Sequence, residues 1–332
     1  LVNPILSISA RADYVGTCLG IKSSIVADWV SSTHGLGIED KLNLANLSRL
    51  TAAANLCRGL GISHEKLTHH LELYGLAAAP FRSGMNAHER ADAMLEFVKR
   101  FRFVERSGID VETLRYLLQH YEAPVSNTTL DEKQLMQLTG AARDAVQSIP
   151  DPAEKSPPLA LAAAEEAARA IRLAREDATI AALATGLGAE RELVDEMLRT
   201  RLRHPSITSA NEAAIAAFLD TSFVTIDVSH SPTTAEKAVE DILVRLHKAV
   251  FICDALKLNR ADLRLLRTSA TDASGFTALD FNTLPATATD PVASLDGFNQ
   301  LLELSLLRGT ASGAGDLLHR YAAINFSVVG MV

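Results

Sequence analysis

The run His64-Glu-Lys-Leu-Thr-His69-His70 carries the ingredients of a zinc-hydrolase helix, an acid beside histidines. That chemistry needs two histidines at i and i+4, one turn apart on a single helix face. Here they stand at i, i+5 and i+6, with His64 more than about 100° around the helix from the other two. The run therefore reads as exposed histidines near a helix start. Gly59-Leu-Gly61-Ile-Ser-His64 begins like a dinucleotide-binding fingerprint but lacks the third glycine and follows a helix rather than a strand. Gly59 and Gly61 are better read as a helix end and turn. Gly309-Thr-Ala-Ser-Gly-Ala-Gly315 has no Lys-Ser/Thr after it to hold a phosphate, so it reads as a loop.

Cys57 and Cys253 fall on apolar helix faces, where a thiol serves as a small hydrophobe. Glu165-Glu166 and Asp177 fit a solvated helix face. The basic stretches Lys99–Arg102 and Arg199–Arg203 sit late in helices, where cations complement the helix dipole. The sequence thus assigns no catalytic, cofactor-binding or metal-ligating residue, and the expectation is that the chain is not an enzyme.

Helices must carry these residues. Of the 332 residues, 48% are hydrophobic, only 5% aromatic and 22% charged, a composition suited to a soluble, helix-rich chain. A net charge of −8 argues against a nucleic-acid footprint. Three scattered cysteines, Cys18, Cys57 and Cys253, make no disulfide framework or zinc finger. The most apolar tract, Pro157 to Ile171, is broken by Glu165-Glu166, so no membrane span is expected. The first residue is Leu1 and the last are apolar, which reads as a piece of a longer chain.

Start and stop signals are dense. Thr129–Glu132, Ser209–Glu212 and Thr233–Glu236 read as capping boxes, and Asp110, Ser63 and Asn259 as further N-caps. Ser156-Pro157 and Asp290-Pro291 read as a cap followed by a first-turn proline. Gly75, Gly108, Gly140, Gly186 and Gly309 read as stops. Between them the apolar period is 3.6: Ala91, Met94, Leu95 and Val98 trace one face, as do Val111, Leu114, Leu117 and Leu118, and Ile242, Leu246, Ala249 and Cys253. Phe223–Val228 alternates like a strand but is isolated, so it reads as an extended linker. The proline-rich stretch 148–158 is the best linker and suggests two lobes, residues 1–150 and 151–332.

One segment repeats. Leu47–Leu67 aligns without gaps on Leu243–Leu263, sharing Leu47/Leu243, Arg49/Arg245, Leu50/Leu246, Ala53/Ala249, Cys57/Cys253, Leu60/Leu256 and Leu67/Leu263. Its content is a helical hairpin, a long helix, a short step and a second helix opened by Ser63 or Asn259. Ile180–Leu193 is a weaker third copy. Repeated hairpins imply stacked helix pairs, and the expectation is an all-α chain of helical hairpins packed into an elongated, repeat-like body.

Ser107-Gly-Ile-Asp-Val-Glu-Thr-Leu-Arg-Tyr116-Leu-Leu-Gln-His120 resembles the "sGf-x-x-x-eLxYLLxH" helix of the A component of bacterial insecticidal toxin complexes, the Tc toxins. Leu47–Leu67 with Leu73-Tyr-Gly75 is similar to that family's "LarxLglsxeeL" hairpin, and Leu246–Asn259 to its later "LhKaxLLixxLxLsxxEL" hairpin. Leu279–Pro285 resembles the segment that follows. The resemblance covers 42–121 most specifically and 180–310 less so. It implies a piece of the α-helical shell around a translocation channel, within a large secreted subunit that forms a homopentamer, binds host cells and injects a toxic enzyme. Its implied partners are other domains of the same subunit. It carries over no catalytic residue. The other reading is a stand-alone α-solenoid-like protein-binding module.

Overall fold

A computed structural model of the chain describes residues 6–30, 36–75, 80–121, 128–150, 161–205, 212–225, 234–266 and 278–310. The protein is all-α, a packed multi-helix body with no strand among the described residues. Its helices are α1 (Ala12–Leu19), α2 (Ser23–Trp29), α3 (Leu44–Leu60), α4 (His64–Tyr74), α5 (Ala87–Ser107) and α6 (Val111–Gln119). After these come α7 (Glu132–Gln147), α8 (Leu161–Leu187), α9 (Arg191–Glu196), α10 (Thr221–Val224), α11 (Thr234–Ala255), α12 (Arg260–Leu263) and α13 (Leu295–Thr310). A π-helical turn, Met197–Arg201, continues α9, and a 3₁₀ turn, Ala214–Leu219, precedes α10.

The chain forms two compact units, Leu1–Arg115 and Tyr116–Val332. In the second, α7 and α8 pack closely although the proline-rich stretch lies between them in sequence; its residues from 151 on lie outside the described ones. The first unit's core includes Trp29, Leu50, Leu67, Phe81 and Phe97. The second unit's includes Leu183, Val194, Phe218, Leu246 and Phe298.

Five helix pairs share one joint. α1–α2, α3–α4, α5–α6, α8–α9 and α11–α12 are each linked through a left-handed residue, an apolar residue and an N-cap, with Leu256 as one extra residue before them in α11–α12. The left-handed positions are Gly20, Gly61, Gly108, Gly188 and Lys257, with φ between 56° and 70°. In four joints the apolar residue's N–H reaches back to a carbonyl five positions earlier: Ile21 to Gly16 at 2.9 Å, Ile62 to Cys57 at 3.1 Å, Ala189 to Ala184 at 2.9 Å, Leu258 to Cys253 at 2.8 Å. This is the Schellman closure, which satisfies a carbonyl the helix leaves open. In the α5–α6 joint a hydroxyl relays it. Ile109 N–H donates to Ser107 Oγ at 3.1 Å, and Ser107 Oγ donates to Val104 O at 2.6 Å. Ser63, Asp110 and Asn259 then cap the second helix, accepting from the N–H of Lys66, Thr113 and Asp262. The repeated hairpin is therefore present at Leu47–Leu67 and Leu243–Leu263, broken at the same aligned position.

Other local expectations move. The cap of α7 is Asp131 with Gln134, two residues beyond Thr129. Asp290 opens no helix: its carboxylate accepts from the N–H of Ala286 and Thr287, and Ser294 caps α13. Gly140, Gly186 and Gly309 lie inside helices rather than at their ends. At Gly186 the reason is packing, since a Cβ there would stand 2.6 Å from Leu138 Cδ2 on α7. α5 buries Phe97, Phe101, Val104 and Ser107, while Leu95 on the expected face is exposed. Phe223 lies in the short helix α10, not in an extended linker, and is buried against Phe218 at 6.0 Å between ring centroids. The caps expected at Ser156, Ser209 and Thr233 fall outside the described residues.

Candidate functional site

The histidine run opens α4, and its three rings separate. His64 meets Trp29 at 5.5 Å, and His69 approaches Glu112 at 3.3 Å. His70 is buried, with Nδ1 2.9 Å from the Tyr74 hydroxyl and its ring among Phe97 and Phe101. Burial, then the charges of Lys66 and His69, pull its pKa down to about 4, so the ring stays neutral. Contrary to the expectation, these are core and half-buried histidines. Among the described residues no three His, Cys, Asp or Glu side chains are grouped to hold a metal ion.

Cys57 and Cys253 are buried at equivalent positions, four residues before the left-handed residue of each joint. Burial raises the Cys57 thiol to about 11 and pushes the Cys253 thiol up as well. Both stay protonated, as expected of small core residues. Glu165-Glu166 is exposed, as expected of a solvated face. Asp177 is exposed too, as expected, and pairs with Arg199 at 2.8 Å. Residues 311–315 of the glycine-rich run lie outside the described ones.

Two clusters escape a reading by sequence spacing. The first centres on Glu196, the last residue of α9, which is only 3% exposed. It faces Arg201 at 3.4 Å, Arg260 at 3.5 Å and Arg264 at 3.4 Å. Beside it Arg199 joins Glu176, Asp177 and Asp195. The π-helical turn brings Arg199 and Arg201 into these pairs. The second centres on Lys248, fully buried on α11. Its Nζ donates to Pro285 O at 2.7 Å, lies 3.1 Å from His120 Nδ1 and sits 4.5 Å above the Tyr116 ring. A buried ammonium needs such company, because leaving it unsolvated would cost several kcal/mol. Its only signal in the sequence is a lysine inside an apolar run, Leu246-His-Lys-Ala249.

Arg49 and Arg245 do occupy equivalent places and fasten downstream segments to their hairpins. Arg49 donates to Asn46 Oδ1 and Ser83 Oγ. Arg245 donates to Leu284 O at 3.0 Å and pairs with Asp290 at 3.6 Å.

The second unit holds a cleft of about 470 Å³ between the α8–α9 joint and α11. Leu187 and Glu190 line one side, His247, Phe251 and Asp254 the other, and Asn259 one end. Burial and then the Lys248 charge lower His247 to about 4, so this ring too is neutral.

The fold and its joints define a helical-hairpin protein. No protein-family model, curated protein or solved structure matches the chain. No helix among the described residues is long and apolar enough to cross a membrane.

Proposed function

We propose that the chain is a structural α-helical segment in the shell of a large secreted toxin subunit, similar to the A component of bacterial toxin complexes. The observation that carries the reading is the joint repeated five times. A recurring joint of three or four residues lets successive helices bury apolar faces against each other, which suits a wall built by stacking. The groups that could do chemistry serve this architecture: Glu196 and Lys248 tie helices and loops together within the second unit. In this reading the segment itself is not catalytic. Its partners are other domains of the same subunit and, in a homopentamer, further copies of it.

Intact mass and particle size of the native product test this. A product several times larger than 35.6 kDa that assembles as five copies supports the proposal. A native product near 35.6 kDa that stays monomeric overturns it and leaves a free-standing helical binding module.

A further inference from the structure

We propose that the cleft between the α8–α9 joint and α11 binds an organic cation with an apolar body, of the guanidinium or amidinium class. The inference does not depend on the shell reading.

α11 presents His247, Val250, Phe251 and Asp254 at i, i+3, i+4 and i+7, which is one stripe on one helix face. Two rings one turn apart therefore lead to a carboxylate. Both rings are half-buried and line the cleft. His247 is uncharged at neutral pH, and its Nδ1 is buried without a hydrogen-bond partner. Neutral rings offer π-faces that attract a cation without a competing positive charge.

The opposite wall supplies Glu190. It is the N-cap of α9, yet its side chain makes no cap hydrogen bond, so the helix does not claim the carboxylate. Asp254 pairs with Lys257 at 3.5 Å, and both side chains are more than 80% exposed. Such a long surface pair is weak and exchanges readily. The two carboxylates against one lysine give the rim a net negative charge, which disfavours an anion. Leu187 and Val250 supply apolar surface for the rest of the ligand. A volume of about 470 Å³ suits a ring bearing one charged head.

The test titrates benzamidine, an amidinium at neutral pH, into the full chain at low salt, with calorimetry and ligand-observed NMR as readouts. Benzamide, its neutral near-isostere, is the control. Saturable benzamidinium binding is expected, at least tenfold tighter than benzamide. The double variant Glu190→Gln/Asp254→Asn should lose at least tenfold in benzamidinium affinity with an unchanged melting temperature. Both positions are exposed, so folding is not at stake. Phe251→Leu should weaken both probes. Equal binding of the two probes, wild-type affinity in the double variant, or no saturable binding overturns the proposal.

Discussion

The hairpins α3–α4 and α11–α12 use the same joint yet hold their second helices by different means. In the first unit α4 runs for eleven residues and buries Leu67, His70, Leu71, Leu73 and Tyr74. In the second, α12 has four residues, and Arg260 together with the following Arg264 reaches Glu196. The left-handed position is Gly61 in one and Lys257 in the other, with nearly the same φ of 68° and 56°. A side chain in that region is strained by roughly 1–2 kcal/mol. The Schellman bond from Leu258 to Cys253, at 2.8 Å, holds Lys257 there nonetheless. The joint thus specifies a turn, while what holds the second helix differs: apolar burial along the whole of α4 in one case, the buried Leu263 together with the Glu196 ion pairs in the other.

The sharpest way to break the contrast is to remove the ionic anchor. Glu196→Ala leaves three guanidiniums without their shared carboxylate and should cost about 3–5 kcal/mol. Leu67→Ala, which opens a void under α4, should cost about 2–5 kcal/mol. Denaturant unfolding of each variant measures both. If Glu196→Ala costs less than about 1 kcal/mol, apolar packing holds both hairpins and the contrast fails.

Acid separates the anchors in another way. His70 is neutral when folded, with a pKa near 4, against about 6.5 when unfolded. The unfolded chain therefore takes up the proton first as pH falls. The stability from a neutral His70 is complete above about pH 6.5 and is lost progressively down to about pH 4, up to roughly 3 kcal/mol. His70→Gln should flatten stability across that window. An unchanged pH profile for the variant would show that His70 does not drive it.

The smallest effects test the joint itself. Gly61→Ala should destabilise by about 1 kcal/mol, whereas Lys257→Gly should stabilise by a few tenths to about 1 kcal/mol. Equal signs from the pair, read as shifts in melting temperature, would mean that the two joints are not equivalent.

Local chemistry made the joints readable. Gly108, Ser63, Asp110 and Asn259 announce their own turns and caps, because a left-handed residue and a capping oxygen act within a few positions of chain. The copy at Leu19-Gly-Ile-Lys-Ser23 is the same signal, but it has no side-chain cap and is easily passed over. Other features depend on a distant partner. α5 has more than one apolar stripe, and His70 and Tyr74 of α4 select the one holding Phe97 and Phe101. Gly186 reads as a stop until Leu138 is seen to need its missing Cβ.

The candidate cleft was still less legible. Glu190 and Asp254 are 64 residues apart in a sequence that marks neither. By itself the sequence determined the all-α class, the hairpins and the position of their joints, since these follow from bonds and apolar periods within one or two turns. Only the tertiary structure decided which charges are buried, as with Glu196 and Lys248, and which side chains share a cleft. Burial and ion pairing depend on what another helix brings alongside, and no local period encodes that.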